Sequence, residues 1–241
     1  MAVALKSSTL ELLKRFNKSF PKFYEQFVSS DVQLLNLKLA YQVYQTEQAV
    51  IEIHPEAGKT SLYFVYRNQS YLPRDIFGVV AAYGLTIHNL SLYGQVTSPM
   101  LVFITLVVSE EGKPLSQKTT EELRSAIQQT LAGQLDIDEK LAAEFMPSHG
   151  LERVETEFYI DPVFTLPMLL IEADIQTRFF YKVADAIWNE DLLIVNATLL
   201  NWRGRTRMIL YLLGPDESAI PDYLGQRIAE GVKRRLSGTI R

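Results

Sequence analysis

At 241 residues the chain is long enough for one large domain or two small ones, each able to bury a core without covalent staples. It contains no cysteine, which excludes a disulfide, a thiolate nucleophile and a cysteine-ligated metal, and no apolar run reaches the roughly 20 residues that span a bilayer. A formal net charge of -4 argues against a polyanion as main partner, so the composition points to a cytoplasmic protein for which nucleic acid is not the expected ligand.

The first ten residues lack the apolar stretch of a secretory signal. Residues 9–28 then place Leu12, Leu13, Phe16, Phe20, Phe23, Tyr24 and Phe27 at helical spacing. Pro21 divides them into two short helices or one kinked one. Lys6, Lys14, Arg15, Lys18 and Lys22 make this end basic, as on the solvated back of a helix that packs on its own protein. Asp31 is the expected N-cap of a helix running to about residue 45. The period then changes. Residues 50–53 form a strand ending at His54 and Pro55, a glycine turn at Gly58 follows, and residues 61–66 form a second strand. Ser70 is the cap and Pro73 the first-turn residue of a helix with Leu72, Ile76, Val79, Val80 and Tyr83 on one face, closed by Gly84. Strands at 85–93 and 100–108 precede a helix at 121–131, with Leu123, Ala126, Ile127 and Leu131 inward. Residues 136–146 are acidic and weakly helical, and 147–150 read as a linker.

From there the pattern repeats. Leu72, Ile76, Val80, Leu85, Ile87 and Asn89 correspond to Phe179, Val183, Ile187, Leu192, Ile194 and Asn196, each pair 107 residues apart. Ile51, Ile53 and Pro55 match Phe158, Ile160 and Pro162 at the same offset. The second copy therefore has strands at 154–160 and 168–173, a helix at 179–188 capped by Thr177, strands at 192–200 and 207–213, and a last helix at about 223–236. The division expected is an N-terminal helical segment (1–47), a first unit (48–133), a linker with a short helix (134–152) and a second unit (153–241).

The stretches TSLYFVYRNQSYLPRDIFGVVAAYGLTIHNLSLYG and LVFITLVVSEEGKPLSQKTTEELRSAIQQTLAG give the order strand, helix, strand, strand, helix. In this they resemble the ACT domain, a ferredoxin-like regulatory module. The helical approach FPKFYEQFVSSDVQLLNLKLAYQVYQTEQ and the stretch ERVETEFYIDP are similar in character to parts of the ACT pair at the C-terminus of bacterial PII-uridylyltransferases. The nucleotidyltransferase and HD regions of those enzymes have no counterpart here. The resemblance implies an α+β protein of two ACT units, non-enzymatic and regulatory, that senses an amino acid or other small metabolite in nitrogen or amino-acid metabolism, needs no cofactor and can form a homodimer. The alternatives are an adaptor for a protein partner that has lost ligand binding, and an RNA or anion binder.

An ACT unit ends with a fourth strand, yet only residues 237–241 follow the last helix. The units are therefore expected to be permuted, strand-strand-helix-strand-strand-helix, each leading strand completing its own sheet or its twin's, with the N-terminal helices over a sheet face. The resemblance places ligand contacts at Asn68, Ser70, Tyr71 and Asn89, and at Asp174, Thr177, Arg178 and Asn196. Where the family carries a glycine, Tyr71 and Arg178 stand and are expected to close the two pockets. Arg203, Arg205 and Arg207, at period two beside Trp202, are a candidate anion grip, weighed against a solvated edge. His54, His88 and His149 fall in unrelated contexts, so no catalytic residue and no metal site is expected.

Overall fold

The computed structural model describes residues 7–67, 72–95, 100–144, 150–174, 178–202, 205–215 and 218–238. It is an α+β fold. Pro21 separates α1 (Ser7–Asn17) from α2 (Phe23–Phe27), and α3 (Ser30–Thr46) follows. Ser29, not Asp31, occupies the cap of α3, with extended backbone and no side-chain cap bond; Asp31 lies in the first turn, where a carboxylate suits the helix dipole.

The first copy then runs β1 (Val50–Glu56), β2 (Lys59–Arg67), α4 (Leu72–Ala82), β3 (Thr86–Gly94), β4 (Leu101–Ser109) and α5 (Gln117–Leu131). After α6 (Ile137–Glu144) the second copy runs β5 (Glu155–Ile160), β6 (Pro167–Asp174), α7 (Phe179–Asn189), β7 (Leu193–Trp202), β8 (Arg205–Leu213) and α8 (Asp222–Leu236). β1 continues through Pro55 because it is an edge strand, where a missing N–H does no harm. α5 begins four residues before the periodic stretch. Ser116 Oγ accepts from Thr119 N at 3.0 Å, and Glu110 accepts from Ser116 N and Thr119 Oγ1.

The strands form one eight-stranded sheet, ordered β1-β2-β4-β3-β7-β8-β6-β5, with antiparallel pairing between neighbours. Each leading strand lies beside the second strand of its own copy, and the halves join edge to edge through β3 and β7. At that seam Ser91 faces Thr198, the same position of the two copies. An antiparallel pair in which a residue faces its own repeat equivalent has a local twofold axis between the two. Both copies also carry a bulge at the same place, between Ile87 and Asn89 and between Ile194 and Asn196.

One face of the sheet packs under α4 to α8 in a single core containing Leu90 and Leu92 from the first copy and Ala197 and Leu210 from the second. The other face of the first copy is covered by α1 to α3. There Phe16, Phe20, Phe23, Tyr24 and Leu39 meet Tyr63, Val65, Tyr93, Leu101 and Phe103. This cluster reaches the second copy where Phe23 stacks on Tyr211 with centroids 5.3 Å apart and meets Phe164 at 5.0 Å.

Candidate functional site

Over the seam, α4 and α7 pack together. α4 buries Ile76, Phe77, Val79 and Val80, and α7 buries Phe179, Val183, Ala184, Ala186 and Ile187. Gly78 allows the approach of a third helix, α6: a Cβ there would lie 2.2 Å from Ile137 Cγ2 and 3.2 Å from the Tyr181 ring. Arg74 and Tyr181, equivalent positions of the two copies, touch at 3.2 Å, which sets them, like Ser91 and Thr198, beside the local axis.

Arg74 is the polar centre of the seam. Its guanidinium donates from Nη1 to Asp75 Oδ1 at 2.8 Å, from Nε to Asp185 Oδ1 at 2.7 Å and from Nη2 to Asp138 Oδ1 at 2.6 Å. It also lies over the rings of Trp188 and Tyr181, 5.1 and 5.4 Å from their centroids. Burial opposes its charge, yet the bonds to Asp138 and Asp185 lift its pKa above the ordinary arginine value. Tyr181 also donates to Asp138; burial and this bond raise its pKa. α4, α6 and α7 are thus tied by one cation and three carboxylates.

Beside this network the helices leave a space of about 160 Å³ lined by Phe77, Val80, Ala81, Gly84, Leu85, Thr86, Ile87, Arg178, Phe180 and Tyr181. Arg178 forms a wall of this space and does not fill it. Its Nη2 donates to Leu141 O at 3.4 Å, and burial lowers its pKa while Tyr181 acts in the opposite sense. Its φ of 76° is the left-handed conformation that glycine adopts freely and that costs another residue about 1 kcal/mol or more. The second copy differs at one position of this wall. Trp188 stands at the position of Ala81, and its indole lies against Arg74.

The other described residues singled out in the sequence do not line this space. Asn68, Ser70, Tyr71, Thr177 and Arg203 lie outside the described residues. Asn89 is exposed at its bulge. Asp174 accepts from Arg153 Nε at 2.8 Å. Asn196 is buried and donates from Nδ2 to Leu92 O at 2.8 Å across the seam. That bond is structural: Asn196→Ala should lower the unfolding free energy by about 1 kcal/mol. An unchanged urea midpoint would mean that the carboxamide does not bridge the halves.

Arg205 and Arg207 have acidic neighbours. Arg207 donates to Glu172 Oε2 from Nε at 2.9 Å and from Nη2 at 2.6 Å, and Arg205 Nη1 lies 2.6 Å from Glu172 Oε1 and 3.4 Å from Glu155. Strand register explains the spacing of the arginines. Val65 pairs with Phe103 and Glu172 with Arg207, while Arg67 pairs with Leu101 and Asp174 with Arg205. Arg205 and Arg207 therefore take the places that Leu101 and Phe103 hold beneath α1 to α3. Their alternation marks a sheet face that α1 to α3 leave uncovered.

His54 bonds Glu52 at 2.9 Å and His88 bonds Ser109 Oγ at 2.8 Å; burial, then Lys59, lowers the His88 pKa. His149 lies outside the described residues. Among the described residues no cluster of His, Asp and Glu could hold a metal, and no helix is long and apolar enough to cross a membrane. The Arg74 centre and the Ala81–Trp188 difference were not read from the sequence, although the 107-residue offset aligns Arg74 with Tyr181 and Ala81 with Trp188. No family model and no curated protein matches the chain.

Proposed function

We propose that this protein is a non-enzymatic regulator of two permuted ACT-like units whose seam space takes up a small metabolite bearing an aromatic ring. The observation that carries this reading is the difference between the two ends of the seam. One end holds an indole stacked on a guanidinium; the other has Ala81 at the indole's position and an open space walled by Phe77, Phe180, Tyr181 and Arg178. The space is about 160 Å³, comparable with the roughly 150 Å³ cavity that admits benzene. Arg178 at its wall suits a ligand with a carboxylate, as in an aromatic amino acid. Support for permuted units comes from the sheet order, in which each leading strand completes a four-stranded half beside its own second strand. A place in amino-acid or nitrogen metabolism, and a homodimer, rest on the resemblance alone.

The test is a thermal-shift screen against amino acids and indole at millimolar concentration, repeated with Ala81→Trp. A ligand at a hundred times its dissociation constant stabilises by about 2.7 kcal/mol, and Ala81→Trp, which places an indole in the space, should abolish the shift. Silence from every ligand would replace the sensor with the adaptor for a protein partner.

A further inference from the structure

The sheet ends on two equivalent strands, β1 and β5, and they are finished differently. In an antiparallel ladder alternate residues turn both backbone groups to the neighbour, and the residues between them turn both away. Asp161 N donates to Leu166 O at 2.9 Å where β5 turns into β6, so Glu155, Glu157 and Tyr159 bond inward while Thr156, Phe158 and Ile160 face outward. The 107-residue offset gives the same outward place in β1 to Ile51 and Ile53, followed by Pro55.

The β1 edge is closed. Ile51 O accepts from Arg124 Nη1 at 3.1 Å, and Pro55 has no N–H to offer. α5 and α8 align at an offset of 105, which puts Ala229 where Arg124 stands. Ala229 is 2% exposed, its carbonyl accepts from Thr156 Oγ1 at 3.0 Å, and its methyl cannot reach the edge. Gly225 of α8 lies against the Phe158 ring, on the helix side of the sheet. Among the described residues nothing bonds the outward N–H and C=O groups of Thr156, Phe158 and Ile160.

On its other side the open edge is acidic. Glu155 and Glu157 are exposed on the face that α1 to α3 leave uncovered; Glu155 lies 3.4 Å from Arg205, whereas Glu157 makes no ion pair among the described residues. A second copy of the strand is a poor occupant. An antiparallel twofold at residue 156, 157, 158 or 159 sets Glu155 opposite Glu157, Glu157 opposite itself, Glu155 opposite Asp161, or Glu157 opposite Asp161.

We propose that β5 takes up an extended basic peptide of another protein as an added antiparallel strand. Its lysines or arginines stand opposite Glu155 and Glu157, and the apolar residues between them stand opposite Phe158 and the part-exposed Ile160. Backbone bonds supply the affinity, and the alternation supplies the specificity. None of these residues lines the seam space, so the inference stands apart from the metabolite reading.

The experiment titrates the full chain with a capped peptide of alternating valine and lysine and reads amide hydrogen exchange. The controls are the same peptide with glutamate for lysine, and the lysine peptide N-methylated at its valines, whose N–H groups face β5. The amides of Thr156, Phe158 and Ile160 should exchange about tenfold more slowly when roughly nine-tenths of the chain is occupied, since only the free chain exchanges there. Neither control should slow them. Glu157→Lys, at an exposed position, should weaken the lysine peptide about fivefold and favour the glutamate peptide. Unslowed amides, equal slowing by either control, equal slowing at Ile51 and Ile53, or unchanged affinity in Glu157→Lys would each overturn the proposal. Slow exchange of the three amides in a peptide-free chain that sediments as a dimer would also overturn it, by making a second copy the occupant.

Discussion

Arg74→Met lowers the unfolding free energy at neutral pH by about 2 to 3 kcal/mol, since methionine keeps the aliphatic volume but leaves Asp75, Asp138 and Asp185 facing one another without a cation. Breaking a fully buried pair costs 3 to 5 kcal/mol, and the smaller figure allows for solvent at Asp138 and Asp185, which are 61% and 36% exposed. The deficit depends on pH in a defined direction. Burial acts to raise the Asp138 carboxyl, but the bonds from Arg74 and Tyr181 hold it below the ordinary range. Its stabilisation is therefore present above the unfolded value of about 3.9 and is lost as pH falls through the lower folded value. Asp75 runs the other way: burial raises it despite Arg74, so its contribution is present below the unfolded value and lost as pH rises through the folded one. Without Arg74 neither carboxylate is compensated, and both gain from protonation. The gap between wild type and Arg74→Met should thus shrink by more than half between pH 7 and pH 4. An equal gap in urea midpoint at both values would show that Arg74 acts through packing alone.

The repeat was legible because burial imposes it locally: Ile76, Val80 and Leu85 are buried as Val183, Ile187 and Leu192 are, so the same apolar skeleton returns. Strand and helix identities followed from period. Pairing did not, because periodicity reports which face a residue takes and is silent on which strand lies beside it. The seam could only have been found by asking which residue pairs with its own equivalent, as Ser91 does with Thr198. The start of α5 was hidden for a related reason. Gln117 and Lys118 carry no apolar signal, and the cap at Ser116 is fixed partly by Glu110 from the end of the preceding hairpin.

The candidate site divided along the same line. Arg178 was singled out through the resemblance, which puts it at a glycine position, but its place in the wall of the seam space depends on α4 from the other copy. Arg74 reads as an ordinary first-turn residue until α6 and α7 bring two more carboxylates and an indole to it. Arg205 and Arg207 advertise themselves in sequence, and their meaning came from the register with Glu172 and Asp174. In each case the missing information was tertiary.

That last comparison predicts the largest single-site effect. Phe103→Arg should cost at least about 4 kcal/mol, because it puts a guanidinium into a position 2% exposed between Phe16 and Phe20, in a cluster whose described members are apolar and aromatic. An arginine cannot shed its proton to escape, so the covering segment must give way instead. α1 and α2 should lift from the sheet, which limited proteolysis within residues 7–29 would detect before global unfolding. The reciprocal change, Arg207→Phe, should alter stability by under about 1 kcal/mol, as it removes a partly exposed ion pair and leaves an aromatic ring on an uncovered face; its effect should appear as self-association at high concentration. Equal tolerance of the two substitutions would mean that α1 to α3 do not seal the first face, and that the alternation of Arg205 and Arg207 needs another cause.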